Sequence, residues 1–304
     1  SRVALAGPAV AVRRAMLALV SIVASLARVV GGSAVAPGEF PDVVLVAGWT
    51  GLCSGTLIAP DVVLTAGHCT EIDPQAVLVG SVDYGAPAGD LVPIASVTAY
   101  PDWQHAFDVA VVVLAKPVEA VAPRPIASGC GPHDGDDARV IGFGLDDPGG
   151  SGASTALETA IVAIDDAECT TDPACRAALA PGGELVAGGR GVAACYGDSG
   201  GPLLADTADG GEALFGVVSR ATDGSAGAPC SGATVYERAD GDAIVAWIEA
   251  TTGRTVARAP CATALDADAP GGGCAVCSES GLVGAAVPLV TVMLAGVLRR
   301  RRRA

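Results

Sequence analysis

The run of six apolar residues at positions 109–114, four of them valine, constrains the fold of this chain more than any other segment. Its length and β-branched composition are typical of a strand that is buried on both faces. The 304-residue chain also contains 41 glycines and 20 prolines, and it has few long amphipathic helical patterns. We therefore predict an all-β body in which many short strands are joined by tight turns.

The charge balance argues against nucleic acid as a partner. The formal net charge is −15, and residues 29–250 contain seven basic and thirty acidic side chains. Binding to a phosphate backbone requires basic patches, which this composition does not supply. The acidity is typical of a protein that stays soluble through mutual repulsion in an extracellular setting.

The N-terminal segment predicts export. Arg13 and Arg14 precede an apolar run at residues 15–27 that ends in Ser-Leu-Ala, a pattern that signal peptidase recognises. We predict a signal peptide over residues 1–27 and a secreted protein. The ten cysteines agree with an oxidising compartment, where disulfides persist.

The C-terminal segment has a different composition. Residues 251–280 read as a linker that carries Cys274 and Cys277, and residues 281–304 contain an apolar run followed by five arginines. The run of eighteen apolar residues is near the lower limit for spanning a bilayer, and the arginines predict a cytoplasmic C-terminus. A Cys-x-x-Cys pair also occurs in metal and redox sites, but no second pair accompanies this one.

Ser199 is a candidate nucleophile. It lies in the sequence Cys-Tyr-Gly-Asp-Ser-Gly-Gly-Pro at residues 195–202, whose glycines permit a tight loop. Such a loop can turn the N–H groups of Gly197 and Ser199 toward one point, where they would bind an oxyanion. The same residue types are common in surface turns, so the motif requires a base and an acid elsewhere in the chain.

His68 and Asp108 are the candidates for those two roles. His68 is one of three histidines and adjoins Cys69, which lies at a bridging separation from Cys53. Asp108 immediately precedes the buried run, where a carboxylate must be paired. Orienting an imidazole is one way to satisfy it, and accepting N–H groups in an ordinary turn is the other.

Arg28 and Val29 begin a segment typical of an activation site. Cleavage after Arg28 would release an ammonium on Val29, which can be buried only against a carboxylate, and Asp198 is the candidate. The alternative is that signal peptidase leaves Arg28 as the mature N-terminus.

Three segments together, at residues 65–69, 108–114 and 197–202, resemble the signature blocks of chymotrypsin-like serine proteases in the order His, Asp, Ser. Residues 29–32 and 142–144 also match that family, as does a helical pattern at 242–250. The resemblance covers roughly residues 29–250.

The resemblance implies two packed six-stranded antiparallel β-barrels and a C-terminal α-helix, with the active site between the barrels. It implies that His68 takes the proton of Ser199 while Asp108 holds the imidazole, and that Gly197 and Ser199 form the oxyanion hole. No metal or organic cofactor is required, and the substrates would be proteins or peptides.

The resemblance also bears on specificity. Ala193 stands where trypsins carry the aspartate that binds basic side chains, so cleavage after Lys or Arg is disfavoured. The pocket walls would include Ala221, following Ser219 and Arg220, and Thr234, both bulkier than the family's glycines. This arrangement is similar to an elastase and favours small apolar side chains. Arg220 departs from the family's usual tryptophan.

The family pattern implies disulfides at Cys53–Cys69 and Cys195–Cys230. We expect one further, local pairing at Cys169–Cys175, because Val186 stands where the family would place a second cysteine. Cys130 could reach Cys261 beyond the final helix, but the sequence leaves the pairing of these two cysteines open, as it does for Cys274 and Cys277.

Two functions follow. The first is a secreted, monomeric serine endopeptidase, activated by another protease and sorted to the cell surface by a tail that resembles those of myxobacterial surface proteins. The alternative is a catalytically inactive binding module on the same fold. The intact His68, Asp108 and Ser199 favour the enzyme, because a binder has no need of all three.

Overall fold

A computed structural model of the protein describes residues 29–176, 182–222 and 228–262. The predicted signal peptide at 1–27, Arg28, Cys274, Cys277 and the predicted membrane segment at 281–304 lie outside these residues. The described residues form fifteen β-strands, one α-helix and one 3-10 helix. The first strand, β1 (Ser33–Ala34), pairs with a strand of the second half of the chain.

Six strands of the first half close into an antiparallel barrel in the order β2-β3-β4-β7-β6-β5. The strands are β2 (Val43–Gly48), β3 (Leu52–Ala59), β4 (Val62–Thr65), β5 (Pro74–Val79), β6 (Asp90–Ala99) and β7 (Ala110–Leu114). The valine run forms β7, which pairs with β4 on one side and β6 on the other. Four of its five residues are buried, because the barrel interior covers one face and the C-terminal helix and the 3-10 helix also contact the strand.

The second half also closes into a six-stranded barrel, in the order β9-β10-β11-β14-β13-β12, because β12 pairs with both β13 and β9. Its strands are β8 (Ile126–Ser128), β9 (Asp137–Gly142), β10 (Glu158–Asp166), β11 (Glu184–Gly188), β12 (Pro202–Asp206), β13 (Glu212–Ala221), β14 (Ala233–Arg238) and β15 (Arg258–Pro260). The strands β8 and β15 extend the sheet by parallel pairing outside the ring. The prediction of two six-stranded antiparallel barrels is thereby confirmed.

The predicted C-terminal helix is present as α1 (Asp242–Thr252). It ends at Gly253, whose left-handed φ of 66° suits a residue without a Cβ. The helix buries Ile244, Val245 and Ile248 in the core of the first barrel, and Trp247 packs edge-on against Tyr100 at a centroid distance of 5.1 Å. The helix that follows the second barrel in sequence thus packs against the first.

Among the described residues, none of the helices has the length and apolar character needed to cross a bilayer.

Candidate active site

His68 lies on the 3-10 helix Gly67–Ile72, which follows β4 directly. The Cys53–Cys69 disulfide ties this helix to β3 with a Cα–Cα distance of 6.2 Å. Asp108 lies two residues before the start of β7, the neighbour of β4 in the barrel. Adjacent strands therefore bring together two residues that are 40 positions apart in sequence.

Asp108 contacts His68 twice. Its Oδ2 lies 2.8 Å from the ring Nδ1, and its Oδ1 accepts the backbone N–H of His68 at 2.8 Å. The Ser219 hydroxyl donates to the same Oδ2 at 2.7 Å. Burial by itself raises the pKa of Asp108, but the hydrogen bonds and charge of His68 and the Ser219 hydroxyl outweigh burial and lower the pKa. Asp108 is therefore held as a carboxylate facing the imidazole.

Ser199 lies in a loop between β11 and β12 that requires glycine. Gly197 and Gly200 have φ angles of 99° and 80°, which L-residues rarely adopt. A Cβ on Gly200 would collide with the Thr65 hydroxyl and the Ser54 carbonyl of the first barrel. The glycines thus permit both the turn and the close approach of the two barrels.

The backbone N–H groups of this loop divide into two sets. Those of Asp198, Gly200 and Gly201 donate to carbonyl groups at 2.8–3.0 Å. Those of Gly197 and Ser199 donate to no backbone or side-chain acceptor within the part of the chain that the structure describes. Two free donors on alternate residues, with the satisfied N–H of Asp198 between them, suit a small anion.

Ser54 on β3 connects the first barrel to the Ser199 loop. Its hydroxyl donates to the Gly197 carbonyl at 2.8 Å and accepts the Phe143 N–H at 2.9 Å. Its backbone N–H donates to the Ser199 carbonyl at 2.8 Å. Sequence reasoning missed Ser54, because its partners are 89 and more positions away and no motif marks it.

His68 and Ser199 line one cavity of about 430 Å³ between the barrels. The full lining is His68, Asp108, Ala194, Cys195, Tyr196, Ser199, Val218, Ser219, Arg220, Ala221, Pro229, Cys230 and Thr234. Within the described residues Ser199 Oγ makes no hydrogen bond to His68, a pairing that often tightens only when substrate binds.

Three of the predicted pocket residues, Ser219, Ala221 and Thr234, line this cavity. Ala193 does not: it is buried, and the cavity is lined by its neighbour Ala194 instead. The Thr234 hydroxyl accepts the Ala194 N–H at 3.2 Å, which joins the two sides of the pocket. Ala194, Ala221 and Thr234 thus give one part of the cavity small, uncharged side chains, while Tyr196 and Arg220 also line it.

Asp198 is fully buried beside the Ser199 loop. Its carboxylate accepts the N–H groups of Gly144 and Cys195, both at 2.8 Å, and no basic side chain pairs with it among the described residues. Burial raises the pKa of Asp198 to about 7, against the opposing effect of these two N–H groups. Val29 is also buried, and Val30 forms a β-bridge with Ala193.

Four disulfides occur among the described residues. They are Cys53–Cys69, Cys130–Cys261, Cys169–Cys175 and Cys195–Cys230. The sequence predicts three of these pairings and leaves that of Cys130 and Cys261 open. Cys195–Cys230 borders the cavity, and Cys130–Cys261 joins the residues that follow β8 and β15.

Two groups of side chains have the composition of metal ligands: Cys53, His68 and Cys69 in one, and Cys169, Cys175 and Glu184 in the other. In both groups the cysteines are joined as disulfides and offer no thiolate. These donor sets do not fit a metal ion.

Sequence reasoning also missed two buried acids behind the site, Glu184 on β11 and Glu237 on β14. The sequence did contain a signal for both, because each is an acidic residue within an apolar strand pattern: Glu184 begins Glu-Leu-Val-Ala, and Glu237 follows Val-Tyr.

Comparisons with known proteins agree with this geometry. A family model described as "Trypsin" matches residues 29–248. A trypsin of Saccharopolyspora erythraea is 33% identical over 179 residues, which cover 55% of this chain and 74% of the relative. The vitellin-degrading protease of Bombyx mori is 31% identical over 191 residues, covering 58% and 71%. Chymotrypsin-like elastase family member 1 of Bos taurus is 29% identical over 215 residues, covering 64% and 79%. With a match over most of its length and a fold of two packed barrels, the chain belongs to the trypsin family and is a chymotrypsin-like serine endopeptidase.

Proposed function

We propose that Ser199, His68 and Asp108 are the catalytic triad of a secreted endopeptidase that hydrolyses peptide bonds through an acyl-enzyme. The observation that carries the proposal is that Asp108 makes two hydrogen bonds to His68 and that both residues line the same cavity as Ser199. His68 Nε2 takes the Ser199 proton as Oγ attacks the peptide carbonyl, and then gives it to the leaving amine. A water molecule, deprotonated by His68, then attacks the acyl group in the same way, and release of the acid restores Ser199.

The oxyanion of each tetrahedral intermediate is bound by the N–H groups of Gly197 and Ser199. Support comes from their freedom from other acceptors within the described residues. Each such donor contributes about 3 kcal/mol to the transition state in comparable sites.

A fluorophosphonate probe tests the triad. Protein beginning at Val29 should be labelled at Ser199, and Ser199→Ala should abolish labelling. His68→Ala should slow labelling by about a thousandfold or more without loss of the folded state. Absence of labelling in folded, correctly processed protein would instead support the inactive binding module.

The pocket is proposed to accept small apolar side chains on the acyl side of the scissile bond. Ala194, Ala221 and Thr234 narrow it, and the one acid among the described residues that line the cavity, Asp108, is bound to His68 and Ser219. A peptide library should show cleavage after Ala or Val. Ala221→Gly combined with Thr234→Gly should extend cleavage to larger side chains, each pocket feature contributing about 1–3 kcal/mol of discrimination. Preferred cleavage after Lys or Arg would contradict this assignment.

Activation is proposed to follow cleavage after Arg28 by another protease. The new ammonium of Val29 would pair with Asp198, and this is supported by the burial of both residues and by the elevated pKa of Asp198. Protein beginning at Val29 should be labelled at least about tenfold faster than protein beginning at Arg28. Without the Val29 ammonium the buried Asp198 carboxylate has no cationic partner, and a buried charge left unpaired costs several kcal/mol. Asp198→Asn should remove the difference. Equal rates for the two N-termini would contradict activation by this route.

The sequence patterns support a proposed organisation into a signal peptide at 1–27, a protease domain at 29–250, a linker at 251–280 and an anchor at 281–304. Cell fractionation of the full chain and of a chain ending at residue 280 tests the anchor. The full chain should remain with the cells and the shortened chain should be released into the medium. Release of both forms into the medium would contradict the anchor. Light scattering of the secreted form tests the expected monomer.

A further inference from the structure

A largely buried cluster of charges lies close to Asp108. It consists of Glu184 on β11, Arg220 on β13 and Glu237 on β14. Glu184 and Glu237 are direct cross-strand partners, with 1% and 0% of their surface exposed. Two like charges in this position repel, and burial makes each of them costly. The cluster therefore requires a cation or a bound proton.

Arg220 supplies the cation. Its Nη2 lies 2.6 Å from Glu184 Oε2, and its Nη1 lies 3.7 Å from Glu237 Oε1. Nη2 also donates to the Ala174 carbonyl at 2.5 Å. The guanidinium is thus turned inward, although the residue belongs to the wall of the active-site cavity. The other basic residue at the cluster, Arg176, approaches Glu184 alone, with Nε at 3.9 Å from Oε1.

Arg220 also reaches the catalytic centre. Its Nη1 donates to Ser219 Oγ at 3.3 Å, and Ser219 Oγ donates to Asp108 Oδ2 at 2.7 Å. A hydroxyl has one proton to donate and accepts on its lone pairs. Ser219 Oγ accepts the Arg220 N–H on a lone pair, which leaves its single proton for the hydrogen bond to Asp108.

We propose that Arg220 is a positioning residue of the catalytic centre, which orients the Ser219 hydroxyl toward Asp108 while Glu184 and Glu237 hold its guanidinium in place. This inference rests on the proposed catalytic role of Asp108. Arg220 stands where the resemblance leads one to expect tryptophan, so the arrangement is a property of this chain.

The protonation of Glu237 supports action through the hydrogen bond rather than through net charge. Burial, followed by the charges of Glu184 and Asp108, raises the pKa of Glu237 to about 9, against the opposing effects of the Asp108 N–H and Arg220. At neutral pH Glu237 holds its proton, and the Glu184–Arg220 pair carries no net charge. The cluster then acts on Asp108 through Ser219 alone.

A double-mutant cycle between Arg220 and Ser219 tests the proposal. Removing Arg220 leaves Glu184 buried without its partner, but this cost is the same with and without the Ser219 hydroxyl and cancels in the cycle, so Glu184 is retained and the cycle is made in the otherwise unchanged, processed protein. The four proteins carry Arg220 or Arg220→Gln together with Ser219 or Ser219→Ala. Acylation by a peptide ester gives kcat and KM separately, and thermal unfolding confirms that each protein is folded.

The proposal predicts that Arg220→Gln lowers kcat about tenfold when Ser219 is present and less than about twofold when it is replaced, since coupled neighbours typically interact at this scale. Equal losses in both backgrounds, or a change confined to KM, would overturn it. Arg254→Gln, which breaks an exposed ion pair with Asp61, is the matched control and should leave both constants unchanged.

Arg220→Lys in the otherwise unchanged protein provides a second test in case the multiple variants do not fold. A lysine retains the charge beside Glu184 but lacks the fork that serves Glu184 and Ser219 together. We expect the same loss of kcat as in the cycle, again only when Ser219 is present. Loss of labelling by a fluorophosphonate in the parent protein would count against the triad itself, whereas a labelled parent without coupling would count against Arg220 alone.

Discussion

At the scale of single residues, environment determines which acids of this protein are charged. Asp108 and Glu237 are both buried, yet the pKa of the first is lowered and that of the second is raised to about 9. Asp108 accepts hydrogen bonds from His68 and Ser219, whereas the nearest basic group to Glu237 is Arg220 at 3.7 Å. The number of donors, not burial alone, distinguishes a carboxylate from a neutral acid.

Glu237→Gln should stabilise the protein in a pH-dependent manner. The ordinary pKa of this group, 4.5, applies to the unfolded chain, and the folded pKa of about 9 is higher, so the folded state binds the extra proton between these values. The stability that Glu237 contributes is full below pH 4.5 and is lost as pH rises toward 9. An uncharged glutamine avoids this loss, which reaches about 3 kcal/mol at pH 7.

Denaturant unfolding of fluorophosphonate-inhibited protein at pH 5, 7 and 8.5 measures the effect without autolysis. The gain from Glu237→Gln should be smallest at pH 5 and largest at pH 8.5. A gain that does not vary with pH would mean that Glu237 is already ionised in the folded state.

At the scale of elements, the loop between β11 and β12 depends on glycine for two separate reasons. Gly200 combines a positive φ with contact to Thr65 and Ser54, whereas Gly210 has a similar φ of 83° and open space around its Cα. Alanine substitutions at these two glycines therefore separate the energetic cost of the positive φ from the cost of the close approach between the barrels.

Gly210→Ala should cost about 1–2 kcal/mol of stability, from its φ alone, and leave activity intact. Gly200→Ala should cost about 1–3 kcal/mol more than Gly210→Ala, because the new methyl group meets backbone atoms that cannot move aside easily. It should also reduce kcat, since Ser199 precedes it. Thermal unfolding and ester hydrolysis of both variants provide the comparison. Equal losses of stability would indicate that the barrels adjust around residue 200.

The disulfides differ in the length of chain that they close. Cys130–Cys261 spans 131 residues and Cys169–Cys175 spans 6. On the chain-entropy account, replacing the first pair by alanine should cost about 5 kcal/mol and replacing the second about 2 kcal/mol. Guanidinium unfolding of the two double variants measures the difference. A larger loss from the short loop would point instead to the contact of Cys169 Sγ with the Glu184 carbonyl oxygen, 3.0 Å away.

At the scale of the whole molecule, the active site depends on the contact between the two barrels. His68 and Asp108 belong to the first barrel, while Ser199 and the cavity residues Ser219, Ala221 and Thr234 belong to the second half. Ser54 joins the two through three hydrogen bonds to the Phe143 and Ser199 segments. Its hydroxyl is therefore expected to affect catalysis as well as folding.

Ser54→Ala should lower kcat about tenfold, because the Gly197 carbonyl and the Phe143 N–H both lose a partner beside the oxyanion donors. The expected loss of stability is about 1–3 kcal/mol. Thr56→Ala on the same strand is the matched control: its hydroxyl is buried without a hydrogen-bond partner in the described residues, and activity should be unchanged. Equal kinetic effects of the two variants would contradict a positioning role for Ser54.

Sequence alone determined the features of this protein that reside in short, contiguous segments. The valine run forms β7, the pattern at 242–250 forms α1, and the motifs around His68, Asp108 and Ser199 indicated the family. Strand propensity, turn formation by glycine and the spacing of apolar residues all act over a few positions, so they can be read directly from the chain.

Tertiary structure alone decided which distant residues support the site. The cavity is lined by Ala194 rather than Ala193, Ser54 bonds to the Gly197 segment 143 positions away, and Glu184 faces Glu237 across two strands. These contacts follow from barrel closure and strand register, which sum many weak interactions over the whole chain. A single serine, arginine or glutamate in the sequence carries no mark of the partner that register assigns to it.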